Sequence, residues 1–189
     1  MTARLGTALH GAFLLARGRP DGLLLIAAPA EAEMAAAARS FWAIAVCLPA
    51  FLCLHVLDWA EEGLPSEPVE GLILDLLGYV IGWVGFALLS HRLAGTMGRA
   101  ALWPRFIATW NWCNVVQYLM LVTAALASLL DLPDALAQTV WLVAAGWALW
   151  LEWYATRLAL AIPGIPAVAL VGLDFALGLF LAGIMGTAG

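Results

Sequence analysis

Five apolar stretches, each about as long as a helix that crosses a bilayer, divide this chain, and polar, acidic or proline-bearing breaks separate them. A crossing helix needs roughly 20 mostly apolar residues. The stretches run from Ala38 to Leu57, Val69 to Leu89, Phe106 to Leu130, Ala135 to Leu160 and Pro166 to Met185. Across 189 residues, 65% are hydrophobic and only 11% charged, against about 25% charged in a soluble domain. That balance excludes a water-soluble fold, intrinsic disorder and a disulfide scaffold. The expected fold is all-α: a polytopic bundle of five transmembrane helices behind a short N-terminal amphipathic helix. Pro49 falls inside the first span and predicts a kink there.

Charge placement sets the expected orientation. The net charge is −5, and all eight basic residues are arginines. Arg4, Arg17, Arg19 and Arg39 precede the first span; Arg92, Arg99 and Arg105 lie between the second and third; Arg157 ends the fourth. All eight therefore fall on one side, which the positive-inside rule makes cytoplasmic. The expected location is a bacterial inner membrane, with the N-terminus cytoplasmic and the C-terminus periplasmic. Asp58, Glu61, Glu62, Glu67 and Glu70 then crowd the first external loop. The turn Asp131-Leu132-Pro133-Asp134 is short enough to make spans three and four an antiparallel hairpin.

Residues 1–37 read as a cytoplasmic N-terminal segment. Leu5, Leu9, Ala12, Phe13 and Ala16 recur at helical spacing ahead of Arg17 and Arg19. Such a helix either lies along the leaflet with its arginines toward anionic headgroups or packs on the bundle. A cleavable signal ending at Ala28-Pro29-Ala30 is disfavoured, because its apolar run is short and cleavage would contradict the charge count.

Three acids enter the spans: Asp75, Glu152 and Asp174. An ionised carboxylate at mid-bilayer costs at least roughly 2.5–3.5 kcal/mol, so these side chains should face protein or water. Their spacing agrees. Gly71, Asp75, Gly78, Gly82 and Gly85 share a helix face that includes a GxxxG pair. Ala145, Ala148, Glu152, Ala155 and Ala159 do the same, as do Asp174, Gly178 and Ala182. At about 1.5 Å per residue, Glu152 and Asp174 each lie roughly 12 Å from the cytoplasmic end of their spans, and Asp75 roughly 9 Å from the outer end. A Glu152–Arg157–Asp174 cluster is expected, either as an internal ion pair or as a protonatable pair on a transport path. Asn111 and Asn114, followed by Gln117 and Tyr118, offer helix glue or a polar pocket.

Cys47, Cys53 and Cys113 sit in apolar runs, and His10, His55 and His91 are scattered, so neither a metal site nor a haem pair is expected. HExxH, GxSxG, Walker and GxGxxG motifs are missing from the sequence, so the expectation is non-enzymatic, with no cofactor. No basic stripe points to nucleic acid.

Arg17-Gly18-Arg19-Pro20-Asp21-Gly22, Arg39-Ser40-Phe41-Trp42 with Pro49, Trp110-Asn111-Trp112, and Trp153-Tyr154…Arg157…Asp174 resemble the bacterial members of the Yip1-like family of small five-span membrane proteins. The resemblance covers most of the chain and carries no catalytic residues. Eukaryotic relatives work with small GTPases through a long cytoplasmic N-terminal region. This chain lacks that region, which argues against a GTPase partner. The leading expectation is a membrane-organising or accessory component that packs against the bilayer, other membrane proteins or itself. The rival is a small-solute or proton-linked transporter using the intramembrane acids.

Overall fold

A computed structural model describes residues 2–29, 32–128 and 132–188. The side chains of Arg4, Glu61 and Glu62, residues 129 and 130 of the third span, Asp131 of the turn and Ala30 lie outside the described residues. The described residues form helices and no strand. In chain order these are α1 (Thr2–Ala16), α2 (Gly22–Ile26), α3 (Glu33–Ser40), α4 (Trp42–Glu62), α5 (Pro68–Thr96), α6 (Trp103–Ser128), α7 (Asp134–Leu160) and α8 (Gly164–Ala188), with a 3₁₀ turn at Ala100–Leu102 before α6.

Four stretches are long and apolar enough to cross a membrane: Glu33–Ala60, Pro68–Thr96, Asp134–Leu160 and Gly164–Met185. The first runs α3 into α4 through Phe41, whose dihedrals stay helical, and Pro49 sits inside it. Tyr79 of α5 donates its hydroxyl to the Ile44 carbonyl at 2.7 Å, just before that proline.

Of the five predicted spans, the third corresponds to α6, which falls outside this set. That set takes in only its described part, up to Ser128, and leaves out Leu129 and Leu130 of the predicted span. α6 packs against α1, α3, α4 and α7 at the centre of the bundle. Thr109, Asn111 and Gln117 are buried there among protein groups. These polar side chains lower the hydropathy of the described part of α6, and protein groups around them take the place of lipid. By contrast Leu88 of α5, Leu142 and Val143 of α7 and Phe180 of α8 are well exposed on the outside of the bundle.

Neighbouring helices are pinned at their ends by polar contacts. Arg105, at the start of α6, donates from Nε (2.9 Å) and Nη2 (2.5 Å) to the Ala159 carbonyl in the last turn of α7. Midway along the same pair, Gln117 donates to the Ala148 carbonyl at 2.7 Å. The glycine stripe read on α5 receives α8. A Cβ at Gly78, Gly82 or Gly85 would lie 3.4–3.5 Å from Met185, Leu181 and Leu177 respectively.

α7 ends with Ala161 in the left-handed region (φ 51°), while the Ile162 N–H reaches back to the Arg157 carbonyl. A left-handed residue with a Cβ costs roughly 1–2 kcal/mol. Ala161→Gly is therefore expected to stabilise the protein by about 1 kcal/mol. In a detergent melting series this reads as a rise of about 2–4 °C.

α1 packs onto the bundle, the second of the two placements its spacing allowed. Ala12 and Leu15 are fully buried, facing α2, α6 and α7. α2 folds back on α1 so closely that Gly11 and Gly22 meet backbone to backbone. At the tip of this hairpin Arg19 pairs with Asp21 at 3.2 Å. The Gly18 carbonyl accepts the Tyr154 hydroxyl of α7 at 2.8 Å.

Candidate functional site

A cleft of about 370 Å³ opens between α4, α5, α6 and α8. Its walls follow from the sequence pattern. The glycines of α5 supply a flat side at Gly78 and Gly82, and the small-residue face of α8 supplies Gly178 and Ala182. From Asp174 to Met185 the α8 wall is roughly 16 Å long at the helical rise. Polar groups stand at both ends of an otherwise aromatic and aliphatic surface.

At one end, His55 of α4 faces Asp75 of α5, with Nε2 to Oδ2 at 3.1 Å. The other ring nitrogen, Nδ1, lies 3.1 Å from the Phe51 carbonyl, which can only accept. A neutral ring can donate to one of these two oxygens, and which one depends on its tautomer. Phe51 and Tyr79 flank this pair, with ring centroids 4.7 Å apart.

At the other end, the indole N–H of Trp110 donates to Asp174 Oδ2 at 3.0 Å. The Glu152 carboxyl is the neighbour of Asp174, and Trp110 stands beside both. Glu152 is 7% exposed, and its Oε1 has no hydrogen-bond partner among the described residues. Asp174 faces the cleft, whereas Glu152 lies behind it, in a tight space bounded by Phe106, Cys113 and Thr156. Trp110 is held edge-on to Trp83 (5.0 Å between centroids) and tilted on Phe86 (4.7 Å). This packing fixes the direction of its N–H.

Not all of the predicted polar residues meet. Glu152 and Asp174 come together, and Asp75 lies at the far end of the same cleft with His55. Arg157 turns away. Its guanidinium carbon lies 4.7 Å from the centroid of the Trp153 ring, and it makes no ion pair among the described residues. Arg157 is five residues from Glu152, about 100° past the i, i+4 register, whereas Trp153 is four residues away from it and its aromatic face is the nearer partner. The Trp153 indole in turn donates to the Gly164 carbonyl at 3.1 Å, tying α7 to α8.

The two asparagines also separate. Asn114 lines the cleft and donates to the Trp110 carbonyl of its own helix at 3.0 Å. Asn111 points the other way and donates to Ser40 Oγ at 2.7 Å, with Ser40 donating to the Ala37 carbonyl. Asn111 thus joins α3 to α6. His55 and Tyr79 are cleft residues that sequence reasoning did not assign to a site, and Trp110 was quoted only within a motif. His55 near the end of one span and Asp75 near the start of the next were at matching depth. A deeply placed tryptophan also needs an acceptor.

No family model matches the chain, and none of the curated proteins or solved structures compared with it does so either.

Proposed function

We propose that this is an inner-membrane protein of five crossings, N-terminus cytoplasmic, that couples protons to the binding or passage of a small solute and performs no enzymatic chemistry. One observation carries the reading: a single cleft has a pair of titratable side chains at each end, His55 with Asp75 at 3.1 Å and Asp174 beside Glu152. Carboxyl groups buried in a bundle of lipid-facing helices are costly, and their use as proton carriers is a common reason for keeping them. A solute that hydrogen-bonds to Asp174 competes with Glu152 for a proton, and that competition is the coupling.

The fifth crossing in this proposal is α6. Its 26 residues make roughly 39 Å of helix, enough for a bilayer core. Side-by-side contacts with α7 at both Arg105–Ala159 and Gln117–Ala148 support a shared path through the membrane. Membership of the Yip1-like family belongs to the same proposal. Of the motif residues quoted for it, Trp110 and Asp174 meet at the cleft.

The test is proton flux into liposomes loaded with a pH-sensitive dye under an imposed gradient. The unaltered protein is expected to dissipate the gradient faster than empty vesicles. Asp174→Asn is expected to return the rate to that of empty vesicles while the melting temperature stays close to that of the unaltered protein. No flux from folded, unaltered protein overturns the reading. In that case a stoichiometric membrane partner recovered from detergent-solubilised membranes supports the accessory role instead.

A further inference from the structure

A second cavity, larger than the acid-lined cleft, is separate from it. It measures about 580 Å³, within the usual range for ligand sites, and lies between α1, α2, α3 and α6. Leu5, Ala8, Leu25, Ile26, Trp42 and Trp112 give it an apolar lining. Among the described residues one charged group lines it, Arg39, which is exposed and makes no ion pair there. Trp42, at the start of α4, is 58% exposed beside it. The cavity exists because α2 folds back on α1 at Gly11 and Gly22, and the extended backbone after Ile26 then leads away before α3 begins.

We propose that this cavity binds one anionic phospholipid, its acyl chain between α1, α2 and Trp112 and its phosphate on Arg39. An apolar chamber whose described lining carries one guanidinium, with no ion pair among the described residues, matches an amphiphile with one negative head. A neutral or wholly polar solute would leave either the charge or the apolar lining unused. Ser40 meets α6 at Asn111, in the same half of α6 that carries Arg105. Arg39 therefore lies toward the arginine-bearing end of the bundle, where anionic headgroups of a leaflet would gather. Tryptophan beside it suits the boundary between headgroup and chain.

Native mass spectrometry of the full chain in detergent tests this, with added dioleoyl phosphatidylglycerol compared against dioleoyl phosphatidylcholine. One phosphatidylglycerol is expected to be retained in preference to phosphatidylcholine. Arg39→Gln, a change at an exposed position, is expected to weaken retention about tenfold, the usual scale for losing a charged hydrogen-bond donor. Ala8→Phe, which fills the chamber and leaves Arg39 in place, is expected to weaken it as well. Equal retention of the two lipids overturns the proposal, as does either variant binding like the unaltered protein. Displacement of the phospholipid by equimolar oleate overturns the assignment to a phospholipid.

Discussion

Gly22→Val is expected to undock the N-terminal hairpin and lower the melting temperature by about 5–10 °C, the shift that roughly 2–3 kcal/mol produces in a chain of this size. A Cβ at Gly22 would drive into the Gly11 carbonyl oxygen and lie 2.9 Å from the Leu15 amide nitrogen. Both neighbours are helix backbone, so no rotamer change relieves the clash. The only relief is to separate α1 from α2, and that uncovers Ala12 and Leu15, which are fully buried. Gly6 is the matched control. It lies in the same α1 helix, and a Cβ there meets nothing within 4 Å. Gly6→Ala should therefore stabilise α1 by up to about 1 kcal/mol through helix propensity alone. Equal melting temperatures for Gly22→Val and the unaltered protein would show that the hairpin is not seated as described.

The second large effect is at the carboxyl pair, where the identity of the replacement decides the outcome. Asp174→Ala removes the acceptor of the Trp110 N–H and the carboxyl neighbour of Glu152 together. Each buried polar group left without a partner costs about 1–3 kcal/mol, so a loss of roughly 3–5 kcal/mol is expected. Glu152→Gln behaves differently. Its amide N–H can donate to Asp174, so the contact survives and the stability change is expected to stay within about 1 kcal/mol. Chemical or thermal unfolding in detergent separates the two variants. If Asp174→Ala costs no more than Glu152→Gln, the pair is not placed as described.

Much of this architecture can be read from the residues. Helix breaks follow Pro68, Pro133 and the Pro163-Gly164 pair, and the observed helices start within a few residues of the predicted spans. The glycine stripe of α5 announces a close neighbour, and α8 takes that place. The meeting of Glu152 and Asp174 was legible because both acids lie at one depth on small-residue faces. What the sequence hides is rotation about each helix axis. Asn111 and Asn114 are three residues apart, yet one faces Ser40 and the other faces the cleft, because α6 is surrounded on several sides. A helix with protein on most of its faces has no single apolar stripe to reveal its orientation. Arg157 escaped for a related reason. Its long side chain was expected to reach back five residues to Glu152, and the Trp153 ring, one turn away on the same face, takes it instead.

The hydrogen bond from Tyr154 to the Gly18 carbonyl joins residues 136 positions apart. At 5–20 residues per second, a ribosome takes on the order of 10 s to deliver the second partner after the first. For most of that interval the segment that carries Gly18 lacks a complete α6 and has no Tyr154 to hold it. The backbone contact between Gly11 and Gly22 needs neither partner, and it folds the two short helices into a unit that waits.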